Sequence, residues 1–398
     1  MLTCCIRRYV LLTPSEYFRY SFARTPWAHN FSCWTLLFFS LGKVVVQSHG
    51  AALTLPRRAR SSISVSLFAT GFILLCLTLS STSRLPLTPV KVAAAAHFCF
   101  IQCLALALGV THARLQTAVL LLVTGDVARR FIAWQSAGPL ILSAVQQMIG
   151  LAFYRQNRSL AWASGHTDPR EYKWATPLFF VATLIFLGLA IAFLCTEREL
   201  NHQDEHGSEL DKNSHSDKHP SRAVTQPHIA LRCCLFASIS AVTYSVFPSL
   251  TSRIRSSYAQ PGTALALQLV FSSFHFVLFH VGRCIGQCAR LTMHTPTQAV
   301  LTLARIAFIP FFRACNFPTA LQNITVTDAL HRVPSILACD TAFLPLLFCF
   351  GLTDGLLDRS LRLSTPDTAE HSALRLWSLS HSTGKLVGAC LSMISVRW

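Results

Sequence analysis

The sequence predicts an all-α polytopic membrane protein of about ten transmembrane helices. Three observations lead there. Hydrophobic residues make up 52% of the 398 and charged residues only 13%, where a soluble domain carries about 25% charged. The mean hydropathy is +0.44. Apolar runs of bilayer-crossing length, about 20 residues, recur along the chain and are interrupted by one long hydrophilic block.

The first residues, 1–30, contain "CCIRRYVLLTPSEYF", which is too short and too broken to span and lacks the small residues of a signal-peptide cleavage site. They are expected to be a remnant of a first helix and the turn after it. Spans are then expected at 31–53, 61–80, 92–124, 128–153 and 174–195, forming an N-terminal group. The 92–124 run is long for one span and is expected to tilt or to break near Gly109. Residues 196–228 hold seven of the seventeen acidic residues of the chain and read as a solvated, disordered cytoplasmic loop. Five further spans, 229–250, 262–283, 297–315, 334–357 and 371–394, form a C-terminal group over 229–398.

With the hydrophilic block in the cytoplasm, alternation puts Arg57, Arg58, Arg60, Arg129 and Arg130 inside, as the positive-inside rule expects. The loop 154–173 runs against that trend with Arg155, Arg158, Arg170 and Lys173 outside. The sequons at Asn30, Asn157 and Asn323 all fall outside; Asn30 abuts a span, which leaves Asn157 and Asn323 as glycosylation candidates.

Several function classes are excluded by pattern. The net charge of +17 is dispersed between apolar runs rather than clustered on one face, which fits an anionic leaflet better than nucleic acid. The 15 cysteines are scattered and follow no zinc spacing, so they are expected to be small buried apolar side chains. His202/His206 and His215/His219 are spaced as in metal-binding tracts, but no ligand cluster inside the spans accompanies them, and no metal or cofactor is expected. "HSTGK" at 381–385 lacks the upstream glycine and the following Ser/Thr of a phosphate loop. No hydrolase triad or paired carboxylates in a span suggest an enzyme.

The C-terminal half is more specific. "VFPSLTSRIRSS" (246–257), "ARIAFIPFFRACN" (304–316), "TDGLLDRS" (353–360) and "STGKLVGACLSM" (382–393) occur in that order. In the N-terminal half stand "TPSEYFRYSFARTPWAHNFS", "HARLQTAVLLL" (112–122) and "AWQSAGPLILSAVQQ" (133–147). Together these resemble the equilibrative nucleoside transporter family, over nearly the whole chain from about residue 13. The resemblance implies eleven helices in a six-plus-five, two-group carrier arrangement, with a large cytoplasmic loop after the sixth. The body of the first helix, where the family keeps a tryptophan near the substrate, has no counterpart here.

Ionisable groups inside spans are costly and normally face the bundle interior. In "FHFVLFHVGR" (274–283) the resemblance implies that Arg283 engages the sugar hydroxyls of a nucleoside. A guanidinium suits that role with five fixed donors and a permanent charge; the competing reading is an arginine snorkelling to the interface. Here the pattern departs from the family. Phe276 stands for its Asn, and Phe279 for the Asp four residues before the Arg. His280, one turn from Arg283, is a candidate acceptor, and His275 and His280 otherwise read as packed histidines. Asp354 replaces a family Asn, so a carboxylate gained at Asp354 is expected to replace the one lost at Phe279 by pairing with Arg283; the alternative is a helix-end Asp in water.

Gln116 matches a glutamine that contacts the nucleobase in the family, and Gln135 is a weaker match of that kind; each otherwise makes an interhelical hydrogen bond. Arg305 is implied to hold the cytoplasmic gate or entry, Phe247 and Pro248 form a kink beside the pore, and Gly384 and Gly388 are spaced for close helix packing. Arg114, Arg313 and Lys385 have no family match. The reading is facilitative transport of nucleosides, with nucleobases and proton coupling left open, by alternating access in a plasma membrane or a vacuolar or lysosomal type of endomembrane. The alternatives are another secondary carrier of the twelve-helix class, or a degenerate paralogue that does not transport. Substrate preference and oligomeric state are not legible.

Overall fold

In a computed structural model of the chain, the described residues are 27, 30–49, 56–82, 91–122, 138–141, 143–145, 147–148, 151–152, 175–207, 227–248, 250–251, 254, 265–289, 291, 293–315, 340–363 and 371–397. Among them the regular structure is helical, without strands. The first four long helices are α1 (Phe31–Ser48), α2 (Pro56–Thr82), α3 (Lys91–Leu122) and α4 (Ala175–Gly207). The second set is α5 (Pro227–Val246), α6 (Leu265–Cys288), α7 (Thr295–Ala304), α8 (Phe308–Ala314), α9 (Asp340–Leu363) and α10 (His371–Arg397). Within the first set α1 packs on α3, and α2 on α3 and α4; within the second, α5 packs on α10 and α6 on α9. The pairing of α1 with α10 joins the two sets.

Some apolar side chains lie outside and some charged ones inside, unlike in a soluble protein. Phe72, Met148, Val300 and Leu303 are 65–68% exposed, while Arg305 is 1% exposed and Lys43 2%. Apolar outer faces suit lipid, and the polar groups are hidden between helices. Among the described residues, five helices carry stretches long and apolar enough to cross a membrane: Phe31–Ser48, Ala59–Ser80, Ala94–Val119, Phe179–Thr196 and Asp340–Leu361; Ala230–Val246 is a shorter apolar helix.

Three expectations are corrected. The expected disordered loop begins later than residue 196, because α4 runs unbroken to Gly207. Its extension, "TERELNHQDEHG", holds three Glu among its residues, and adding residues to a formed helix is far cheaper than nucleating one. Phe247 and Pro248 do not kink a continuing helix. Here α5 ends at Val246 and the pair forms the turn beyond it, through a cis peptide bond. Proline has no N–H and its ring collides with the carbonyl four residues back. The cysteines are mostly not buried: Cys99, Cys103, Cys195, Cys234, Cys288, Cys349 and Cys390 are exposed on helix surfaces, and Cys33 and Cys315 are buried. A thiol meets an apolar neighbour in either place when the outer solvent is lipid.

α3 is one unbroken helix of 32 residues. Gly109 sits where α1 and α3 touch: a Cβ there would collide with the Phe39 carbonyl, and one at Gly42 with the Leu106 carbonyl. The glycine marks a close crossing, not a break. The expected span 297–315 is interrupted by a 3₁₀ turn, Arg305–Ala307, between α7 and α8. Pro310 removes the hydrogen bond to the Ile306 carbonyl, and the tighter turn precedes that gap.

Candidate substrate site

A buried charge network in the second helix set begins with a close approach of backbones. Gly282 and Gly286 of α6 face Gly351 and Gly355 of α9, and a Cβ on any of the four would run into a carbonyl of the opposite helix. Two small-xxx-small pairs, one per helix, let the two backbones touch. The Gly355 contact is with the carbonyl of Arg283 itself. Arg283 therefore starts beside α9 and finds its partners there.

Its Nε lies 3.3 Å from Asp354 Oδ2, and its Nη2 3.4 Å from Asp358 Oδ2. The Nε contact has ion-pair distance without the alignment of a hydrogen bond. Arg305, on the 3₁₀ turn, reaches the same aspartate from the other side. Its Nη2 is 3.3 Å from Asp354 Oδ1 and donates to Thr243 Oγ1 at 2.8 Å. Its Nη1 donates to Thr353 Oγ1 at 2.7 Å and to the Phe350 carbonyl at 3.0 Å. The Thr243 hydroxyl donates to Asp354 Oδ1 at 2.6 Å, and the Arg305 guanidinium lies 4.4 Å from the centre of the Phe350 ring. Gln287 Nε2 donates to Asp358 Oδ2 at 2.7 Å.

Two arginines and two aspartates are thus brought together, each under 10% exposed. Among the described residues of the network the charges balance, as a low-dielectric interior favours. The interrupted α7–α8 segment carries Arg305 to the point where α5 and α9 meet, and α5 contributes Thr243. Arg283 does not snorkel to an interface, and Asp354 is not a helix-end residue in water; it lies well inside α9 and is 4% exposed.

Phe279 is 1% exposed and stacks on Phe247, with ring centres 4.1 Å apart. Phe276 and His280 pack against Phe247 edge-on at 4.9 and 5.9 Å. Phe247 therefore closes an aromatic cluster next to Arg283 on α6. His275 is buried and bonds through Nδ1 to the Thr251 carbonyl at 3.1 Å. Gly384 and Gly388 of α10 face Ala237 and Ala241 of α5 and let those two helices touch. Gln116 is in the first set, on α3, where its Oε1 accepts from Lys43 Nζ at 3.4 Å. Gln135, Asn157 and Asn323 lie outside the described residues. Among the described residues no group of metal-ligating side chains occurs.

Several participants escaped the sequence reading, Gln287 among them. Asp358 lies one helical turn from Asp354, a spacing that puts both carboxylates on one face. Gly282/Gly286 and Gly351/Gly355 are the same glycine spacing recognised at Gly384/Gly388. Thr243 has no sequence signal.

The region that holds this network matches the family model described as Nucleoside transporter, over residues 188–394. This chain belongs to the nucleoside transporter family. The match runs from inside α4 through most of α10, and so includes every member of the charge network. Among curated proteins, none matches the chain. The transporter is a multi-pass helical membrane protein with a role in nucleoside transport.

Proposed function

We propose that this transporter moves nucleosides down their gradient by alternating access, with α1–α4 and α5–α10 rocking about the α1/α10 contact. No nucleotide-hydrolysing motif is present in the sequence, so the substrate gradient supplies the drive. Gln116 reads the nucleobase edge, since an amide both donates and accepts. Arg283 serves the ribose hydroxyls while its contacts to Asp354 and Asp358 keep α6 on α9. Asp354 plays the part of the sugar-accepting carboxylate that α6 lacks at Phe279, and Arg305 holds the cytoplasmic side. Phe279 and His280 border the sugar site, and Gln135 belongs to the nucleobase side.

The observation that carries this reading is the pairing of Arg283 with Asp354 across 3.3 Å inside the family-matched half. An arginine held in the interior by an acceptor on a neighbouring helix is poised for a polar cargo and is costly to keep for any other purpose. The second reading, a paralogue that does not transport, is favoured by Phe279, whose ring fills the family's carboxylate position and stacks on Phe247.

Uptake of labelled uridine and adenosine into vesicles holding the full chain separates the two. Saturable flux that falls at least tenfold in Arg283→Gln supports the transporter. Absence of saturable flux for any nucleoside or nucleobase, in folded protein, overturns it. An imposed pH gradient in the same vesicles tests proton coupling. Tagged protein in cells decides between the plasma membrane and a vacuolar or lysosomal type of membrane.

A further inference from the structure

Arg283 reaches α9 at two levels, and at the second of them another side chain of α6 meets the same aspartate. The two helices run parallel where they touch. A Cβ at Gly282 would strike the Phe348 carbonyl, and one at Gly286, four residues on, would strike the Leu352 carbonyl, also four residues on. Positions four apart share a helix face, so the contact repeats with each turn. In one turn Arg283 Nε meets Asp354. In the next, Gln287 Nε2 donates to Asp358 Oδ2 at 2.7 Å. The bond is returned through the main chain, since Arg359 Nη1 of α9 donates to the Gln287 carbonyl at 2.5 Å.

Asp358 Oδ2 is also the atom that Arg283 Nη2 reaches, at 3.4 Å. The amide is therefore the closer partner of that oxygen and the guanidinium the looser one. Asp358 is 3% exposed, so protein groups rather than bulk water set its direction. Gln287 fixes where Oδ2 stands, and Oδ2 fixes one corner of the arginine. A guanidinium is planar and rigid. With Nε against Asp354 and Nη2 against Asp358, its orientation is determined and Nη1 is the corner left over. Among the described residues Nη1 has no hydrogen-bond or ion-pair partner, and it carries two N–H donors.

We propose that Gln287 is a positioning residue for nucleoside recognition: acting through Asp358, it holds the Nε and Nη2 corners of Arg283 on α9 and leaves both Nη1 donors for the ribose hydroxyls. The inference rests on the reading that Arg283 serves the ribose. Gln287 touches no substrate itself. A recognition group keeps its aim within about 0.5 Å only when supporting bonds lock it. Here the lock is the reciprocal pair of hydrogen bonds that Gln287 makes with Asp358 and Arg359. Without the amide, Oδ2 is free to shift toward the arginine, and Nη1 turns with the rest of the plane.

The test is flux of labelled uridine and of its 2′,3′-dideoxy analogue into vesicles holding the full chain. The two share a base and differ only in the ribose hydroxyls. Wild type is expected to prefer uridine at least tenfold in kcat/KM. Gln287→Met keeps the length of the side chain and removes the donor. It should cut that preference at least threefold through a higher KM for uridine, with flux of the analogue within twofold of wild type. Added to Asp358→Ala, the same change should move the preference less than twofold, and a further threefold fall means that Gln287 does not act through Asp358. Equal losses for uridine and the analogue make Gln287 merely structural and overturn the proposal. An unchanged preference overturns it too and leaves nucleoside transport standing. Wild-type flux without a preference for uridine takes Arg283 away from the ribose and the role of Gln287 with it. Absence of saturable uridine flux in folded wild type overturns the nucleoside reading itself. Gln287→Asn, one methylene too short to reach the carboxylate, carries the same expectations if Gln287→Met does not fold.

Discussion

Asp354 is the acceptor that two buried arginines share, so Asp354→Asn is the most informative single change. Oδ1 takes the Thr243 hydroxyl at 2.6 Å and Arg305 Nη2 at 3.3 Å, and Oδ2 faces Arg283 Nε at 3.3 Å. With Asp358 the site holds two cations against two anions. The asparagine keeps the oxygen that Thr243 and Arg305 use and removes the charge, leaving one uncompensated buried arginine. Breaking a buried pair in this way costs about 3–5 kcal/mol. Asp358 still faces Arg283, and Arg305 still donates to Phe350 and Thr353, so the lower end applies, about 3 kcal/mol. At roughly 2–4 °C per kcal/mol, the melting temperature should fall by about 6–12 °C. The double variant Arg283→Gln/Asp354→Asn restores neutrality and should recover at least about 1.5 kcal/mol relative to the sum of the singles. The assay is the loss of the monodisperse size-exclusion peak after heating, for wild type, both singles and the double. A single as stable as wild type, or a double whose loss equals the sum of the two singles, refutes the shared-acceptor reading.

Gly355→Val drives a side chain into the Arg283 carbonyl and should cost about 1–3 kcal/mol by forcing α6 and α9 apart; Gly188→Val, whose Cβ meets nothing within 4 Å, should leave the melting temperature unchanged in the same assay. Gln116→Ala should raise the KM for uridine roughly fivefold with little change in kcat, the loss of about one hydrogen bond to the base. Phe279→Asp restores the family's residue yet should destabilise by about 3 kcal/mol, because it breaks the stack on Phe247 and sets three carboxylates against two arginines. Heat stability of that variant against wild type checks it.

The helical membrane class was legible because hydropathy and length are properties of the chain alone. Arg283 was legible as a buried group for the same reason: a charge inside an apolar run must find a partner. Its partner Asp354 could be guessed from charge balance, as a carboxylate missing at Phe279 and present on another apolar run. Asp358 is legible by the same logic, since it sits one turn along the same helix face. Thr243 and the 3₁₀ placement of Arg305 were not legible, because which hydroxyl meets which guanidinium depends on how three helices cross. The α1/α10 contact was hidden for a related reason: only the register between the two helices brings Gln47 to Ser378 and Leu36 to Ala389. Residue 196 failed as a loop boundary because charge density marks solvation rather than the end of a helix.

Carboxylates on α9, where the resemblance implies one at position 279 of α6, change what the arginine can do mechanically. An Asp at position 279 would pair with Arg283 within one helix and tie nothing else down. Asp354 and Asp358 instead tie α6 to α9, while Arg305 and Thr243 fasten the 3₁₀ turn and α5 to the same aspartate. Separating any of these elements would expose a buried charge without its partner, a cost of several kcal/mol. The touching backbones at Gly282, Gly286, Gly351 and Gly355 add a close-packed contact along the same line. The second helix set is therefore cross-braced at its centre. The α1/α10 contact, by contrast, shows among the described residues the Gln47–Ser378 hydrogen bond and a small cluster around Leu36, Ala389 and Tyr244. In an alternating-access cycle the weaker joint moves first. Under the proposed alternating access, that ground puts the opening along α1 and α10, with α5, α6 and α9 kept together by the bracing around Asp354.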